Sequence, residues 1–147
     1  DTSNTNRSVS SAANVWNQNN SPWGFNGGLE SPSGDTAYGV LVGTGVTAPA
    51  SADYKMETLI AHGSAATQLQ YSQTSCSGAG AVGGNVNLVI VRPFINGSGG
   101  SITIREVGLV VEAGAAAYYF LWAHDSVNQA VANTEVALAS YVIRTTV

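Results

Sequence analysis

Two imidazoles, nine carboxylate side chains and one thiol are most of what this chain offers to chemistry. His124 stands beside Asp125 at the end of Tyr119-Phe-Leu-Trp-Ala-His-Asp125. A nucleophilic site needs a nucleophile, a base and an acid that orients the base. Adjacent strand residues point to opposite faces, so His124 and Asp125 do not make that pair unless a turn starts at Asp125. His62 is the second imidazole, and no Gly-x-Ser-x-Gly elbow accompanies either one. Glycoside hydrolysis asks for two facing carboxylates. Glu106 and Glu112 share one strand region and sit too far apart along it to converge on one bond. Glu106 beside Arg105 reads instead as an ion pair or as part of a strand irregularity. Cys76 has no partner for an internal disulfide. With no Lys, Arg or His near it in sequence, it reads as a small loop residue. His, Cys, Asp and Glu are not clustered as a metal site requires, and the Gly-rich stretches lack the lysine context of a phosphate loop. The expectation is a protein that is not an enzyme, with no catalytic, cofactor-binding or metal-binding residues. Three Asn-x-Ser triplets, at Asn6, Asn19 and Asn96, are candidate glycan acceptors. Asn96 is the best placed, in a turn.

Composition narrows the class. The chain has 147 residues, enough for one domain with a core, and 44 % of them are hydrophobic. Only 10 % are charged, against about a quarter in ordinary soluble domains. Ser, Thr, Asn, Gln and Gly must then cover the surface. Such neutral faces suit extracellular proteins and packed assemblies, because they desolvate at low cost. The net charge is −4, and five basic residues are scattered singly, so no nucleic-acid footprint exists. No apolar run is long enough to cross a membrane as a helix. The chain begins at Asp1 rather than Met. That fits a removed leader or a numbering that omits the start.

The elements that would position these residues read as strands. Residues 101–125 form the strongest signal: two β-branched and aromatic runs flank Ala-Gly-Ala-Ala-Ala, with Gly114 giving the turn its freedom. Ile102 and Ile104 share one face, whereas Val107, Leu109 and Val111 fall on the other parity. A β-bulge at Arg105-Glu106 would absorb the change; a strand buried on both faces would also account for it. Gly108 suggests close approach of a neighbouring backbone or ring. Further strands are expected over Tyr38–Val42, Tyr54–Ile60, Gln68–Ser72, Val86–Ile95 and Val136–Val147. Pro93 places the Val86–Ile95 strand at an edge or a bend. Residues 74–84 read as a loop, residues 96–100 as a hairpin turn and residues 128–135 as a loop. In the last strand, Ala137, Ala139, Tyr141 and Ile143 face one way, and Val136, Leu138 and Val142 the other. Seven or eight strands without an amphipathic helix make an all-β chain, an antiparallel β-sandwich or jelly roll. Leu109 and Leu121 are expected in its core.

Residues 1–36 read as a separate extended arm, and residues 37–147 as the sandwich. Within the arm, Val9, Ser11, Ala13 and Val15 alternate on one side up to Trp16, which suits a strand that pairs along an edge. A loose terminal tail is the other reading. Trp16, Trp23 and Phe25 argue for burial, and a turn-rich stretch over 26–34 acts as a hinge.

Four blocks, Tyr38-Gly-Val-Leu-Val-Gly-Thr-Gly45, Asp53-Tyr-Lys-Met-Glu57, Glu106-Val-Gly-Leu109 and Tyr119-Phe-Leu-Trp-Ala-His-Asp125, carry a resemblance. The chain resembles β-rich structural proteins of tailed-phage genomes and environmental sequences over residues 38–147. That resemblance implies a self-assembling or virion-surface component. The reading is a structural subunit, extracellular or on a virion surface, whose partners are copies of itself joined by arm exchange into a helical filament or tube. A head-decoration or tail component of a phage is the alternative. A carbohydrate-binding module, with Trp16, Trp23 or Trp122 as platform, is the third. No cofactor is called for.

Overall fold

Arg92 sits wholly buried, and none of its hydrogen bonds goes to a carboxylate. The computed structural model describes residues 28–82, 84–113 and 118–146, and among them there is no helix. Seven strands make two antiparallel sheets: β1 (Gly39–Gly43), β2 (Gln70–Tyr71), β3 (Ser75–Val82), β4 (Asn85–Ile95), β5 (Ile102–Ala113), β6 (Tyr118–Val131) and β7 (Val136–Thr146). The first sheet runs β1-β5-β6. In the second, β7 pairs with β4 along its whole length, so β2 and β3 lie end to end on the other side of β4. The two sheets stack as a sandwich whose core includes Val40, Val42, Leu109, Ile90 and Phe94.

Arg92 joins the layers. All five of its N–H donors end on backbone carbonyls: Nε on Ser72 at 2.7 Å, Nη1 on Tyr38 and Val40 at 3.3 and 3.1 Å, and Nη2 on Pro32 and Asp35 at 3.1 and 2.7 Å. The guanidinium also lies over the Tyr71 ring, 4.8 Å from its centroid. A charge is tolerated in a core only when every donor is used, and the planar fork of arginine reaches carbonyls on several segments at once. One side chain on β4 thus ties the second sheet to β1 and to residues 32–35.

Several sequence expectations meet the structure directly. The hairpin of residues 101–125 is β5 with β6; its turn, with Gly114, lies outside the described residues. The register breaks at Arg105, which stands opposite two residues of β6, Val127 and Asn128. Ile104 and Val107 line one cleft together, and residues of both parities, Glu106, Gly108 and Val110 as well as Leu109, are buried, so this part of β5 is covered on both faces. The extra residue belongs to β6 rather than β5. A Cβ on Gly108 would overlap the Met56 sulfur and the Leu121 methyl; the close neighbours are side chains, not a ring or backbone. The two faces of β7 divide as the alternation predicts.

Other expectations are corrected. Residues 54–60 form no strand beyond one bridge, Leu59 with Gly43; the amides of Glu57 and Thr58 bind the Glu106 carboxylate instead. Residues 75–82, read as a loop for their small side chains, are β3, because β4 supplies a long partner. Pro93 sits on the central strand, not at an edge. Its carbonyl accepts from Ser72 N at 3.0 Å, so the missing N–H points into the gap between β2 and β3, where no partner is lost. Residues 96–100 make no hairpin: they carry the chain from β4 in one sheet to β5 in the other. The first half of the loop expected over 128–135 is the end of β6. Residues 28–36 pack on the sandwich, with Leu29 and Ser31 fully buried and Gly28 bridged to Glu112; the rest of the expected arm lies outside the described residues.

Arg92→Lys keeps the charge but offers three donors in place of five. It should lower unfolding stability by about 2–5 kcal/mol, because buried carbonyls lose their partners. Leu109→Ala should cost about 2–5 kcal/mol, and Leu121→Ala, only half-buried, roughly half as much. Urea denaturation checks all three, and a loss below about 1 kcal/mol for Arg92→Lys would show that the carbonyl cage is dispensable.

Candidate functional site

Two polar or open regions of the fold could do work: a carboxylate–imidazole–carboxylate cluster and a groove between the sheets. The cluster forms on the outer face of the first sheet. Gly43 pairs with Glu106 and Gly108 with His124, so Glu106 and His124 share that face. His124 Nδ1 lies 2.9 Å from Asp53 Oδ2, and Nε2 lies 3.0 Å from Glu106 Oε2. Glu106 is 2 % exposed and also accepts from the amides of Gly45, Glu57 and Thr58 at 3.1, 3.0 and 2.7 Å. A Cβ on Gly43 or Gly45 would overlap its carboxylate. Those glycines are there to let the acid in.

The chemistry of the cluster follows from its geometry. An ionised carboxylate only accepts hydrogen bonds, so each ring nitrogen of His124 must donate. The ring is then an imidazolium with no lone pair left to take a proton, which removes it as a general base. Burial opposes that charge, but the hydrogen bonds to Asp53 and Glu106 and their negative charges outweigh it and raise the His124 pKa above its ordinary 6.5. Burial likewise opposes ionised Glu106, yet the three amides and His124 hold its carboxyl below 4.5. The Ala50 amide, then His124, lower Asp53. The two acids lie at opposite ends of the ring, and among the described residues no three His, Cys, Asp or Glu side chains converge as metal ligands. The cluster is a latch that pins residues 45–58, with the Met56 sulfur against Gly108 of β5.

The groove lies where the sandwich is open. β6 pairs only with β5, and β7 only with β4, among the described residues. Their free edges face one another across a cleft of about 410 Å³. Val42, Ile104 and Val107 form its floor, and Ala137, Ala139 and Tyr141 its β7 wall. The Tyr141 hydroxyl donates to the Val107 carbonyl at 3.0 Å; burial and the adjacent Asp125 carboxylate push its ionisation up. Asp125 therefore faces the groove and Tyr141, not the ring of His124. Outside the groove, Val136 and Val142 stand exposed on β7, and Tyr118, Phe120 and Trp122 on β6; Leu138, also exposed, lines the groove.

The sequence-predicted residues distribute unevenly. Val9, Ser11, Ala13, Val15 and Trp16, with Asn6 and Asn19, lie outside the described residues. Asn96 is no exposed tip. It is fully buried, and its amide nitrogen, the atom a glycan would occupy, donates to the carbonyls of Gly100 and Val131 at 2.8 and 2.7 Å. Glu106 pairs with His124 rather than Arg105, and Glu112 takes no part in the cluster. His62 Nδ1 accepts from the Tyr71 amide at 3.0 Å. Burial, then Glu30, push the Cys76 thiol up to about 12, so it stays protonated at neutral pH. Asp53 was not signalled by spacing: it lies 71 residues from His124. Compared with protein-family models, curated proteins and solved structures, the chain gives no significant match.

The latch has a pH window. Its histidine contribution is complete below 6.5 and is lost as pH rises through the raised His124 value. Its Glu106 contribution is present above 4.5 and is lost as pH falls through the lowered carboxyl value. Stability should therefore plateau between these two values and decline on either side. His124→Asn should remove the alkaline decline; an unchanged alkaline limb in chemical denaturation of that variant would place its origin elsewhere.

Proposed function

We propose that the protein is a structural subunit that self-assembles outside the cell into a helical filament or tube, without catalytic activity. One observation carries this reading: among the described residues, β6 and β7 are long free edges on one side of the molecule. Soluble proteins usually blunt such edges with Pro, Lys or a covering segment. β6 and β7 contain neither Pro nor Lys, and both expose large apolar side chains. Exposed apolar patches beside unpaired strands favour strand addition from another chain. The scarcity of charge lets neutral Ser, Thr and Asn faces meet at low desolvation cost. The arm exchange expected from residues 9–16 supplies the strand, and a head-to-tail contact that does not close propagates as a filament.

The same contact closed into a ring or trimer is the virion-component reading, which the resemblance to phage-type structural proteins favours. Electron microscopy of the purified protein separates the two, since filaments support the first and discs or trimers the second. Deleting residues 1–20, or placing Asp at both Val9 and Val15, should leave a folded domain that no longer assembles, because the buried carboxylates would lack partners. Circular dichroism and light scattering check this. Normal assembly by the deletion variant would exclude the arm and leave the exposed strand faces as the contact.

A further inference from the structure

The geometry points to the groove between β6 and β7 as the acceptor for residues 7–15 of a second copy, which add as a strand along the free edge of β7. This inference rests on the self-assembly reading and names the partner surface within it. Three features of the groove select that occupant.

The first is pattern. The inner face of β7 offers Ala137, Ala139, Tyr141 and Ile143, all half-buried. Val9, Ser11, Ala13 and Val15 span the same six residue steps with the same alternation. A strand laid along β7 would turn these small side chains onto the apolar floor of Val42, Ile104 and Val107. Larger side chains would not enter a cleft of about 410 Å³ in a row. The second is charge. Asp125 is the only charged side chain among the described residues lining the groove. Arg7 is the only charged residue between Thr2 and Leu29, and its parity matches that of Val9. The strand that puts Val9 inward therefore puts Arg7 on the groove side, where Asp125 can receive it. The third is reach. The described chain starts at Gly28, bridged to β5 on the side of β1, away from the groove. From Val15 to Gly28 is 13 steps, roughly 43–47 Å when extended, enough to leave one sandwich and lie across another. The main-chain ladder would give generic affinity, and the alternating pockets would set the register.

Disulfide trapping in the full chain tests this. Cys76→Ser removes the natural thiol. Ser11→Cys or Ala13→Cys is then paired with Ala137→Cys, Ala139→Cys or Ser140→Cys, and Val46→Cys serves as an exposed control. After mild oxidation, non-reducing gels should show a ladder of linked chains for at least one groove pair and none for the control. A disulfide closed within a single chain would overturn the inference, because the arm would then fill its own groove. Filaments that form while no groove pair links would overturn the acceptor and leave the self-assembly reading standing. Linked pairs without filaments would support the acceptor and remove the filament. Neither links nor filaments would remove both. Asp125→Asn should also weaken assembly several-fold more at low salt than at high salt, as expected for a lost ion pair; equal loss at both would remove Arg7 from the contact.

Discussion

A buried guanidinium governs the arrangement of this sandwich. Arg92 has been taken out of water with all five N–H donors on backbone carbonyls and none on a carboxylate, and the charge of Asp35 adds to those dipoles. Each of those carbonyls is also withdrawn from water and needs a donor. The requirement is mutual, and it fixes four places at once: residues 32–35, the β1 backbone, Ser72 and the middle of β4. None can shift without orphaning a donor or an acceptor. Ring faces of Tyr71 and Phe94 close the remaining sides. The gap between β2 and β3 follows from the same demand, since Ser72 must turn its carbonyl to the guanidinium while its amide meets Pro93.

A second polar centre mirrors the first with the signs reversed. Glu106 is an anion caged by three amides and an imidazolium, on the opposite face of β5 from the core. Together the two centres explain how long irregular segments hold a fixed course. Residues 44–60 have almost no ladder of their own, yet their amides have a defined destination. Apolar burial alone would hold these segments loosely; the caged charges give them one conformation.

The all-β class, the β5–β6 hairpin, the register break at Arg105 and the two faces of β7 were legible because each rests on period-2 alternation within one stretch. What escaped reading depends on partners distant in sequence. β3 has a composition of small residues that looks like a loop until β4 provides its ladder. Pro93 signals an edge unless the gap beside it is known. Arg92 and Asp53 carry no local mark of burial, and Glu106 invited pairing with its neighbour Arg105 when its partner lay on the next strand. Gly43 and Gly45 carry no local sign that their lack of Cβ makes room for an acid. Asn96 looked like a turn tip because its sequence is turn-like; its side chain is what builds the turn from within.

The opposite sides of the two sheets bear on how copies can meet. β1 is five residues long, with Leu59 bridged to Gly43 at its end and Gly28 bridged to Glu112 of β5, and β2 and β3 are interrupted beside Pro93. The longest free edges, those of β6 and β7, thus lie, among the described residues, on one flank. A body with a single adhesive flank has a valence of one. Two copies meeting flank to flank by a twofold axis would satisfy each other and stop there. Unlimited growth requires a second, unlike contact on every copy. That contact would give the chain of subunits a direction, with one end presenting an empty flank and the other a spare donor.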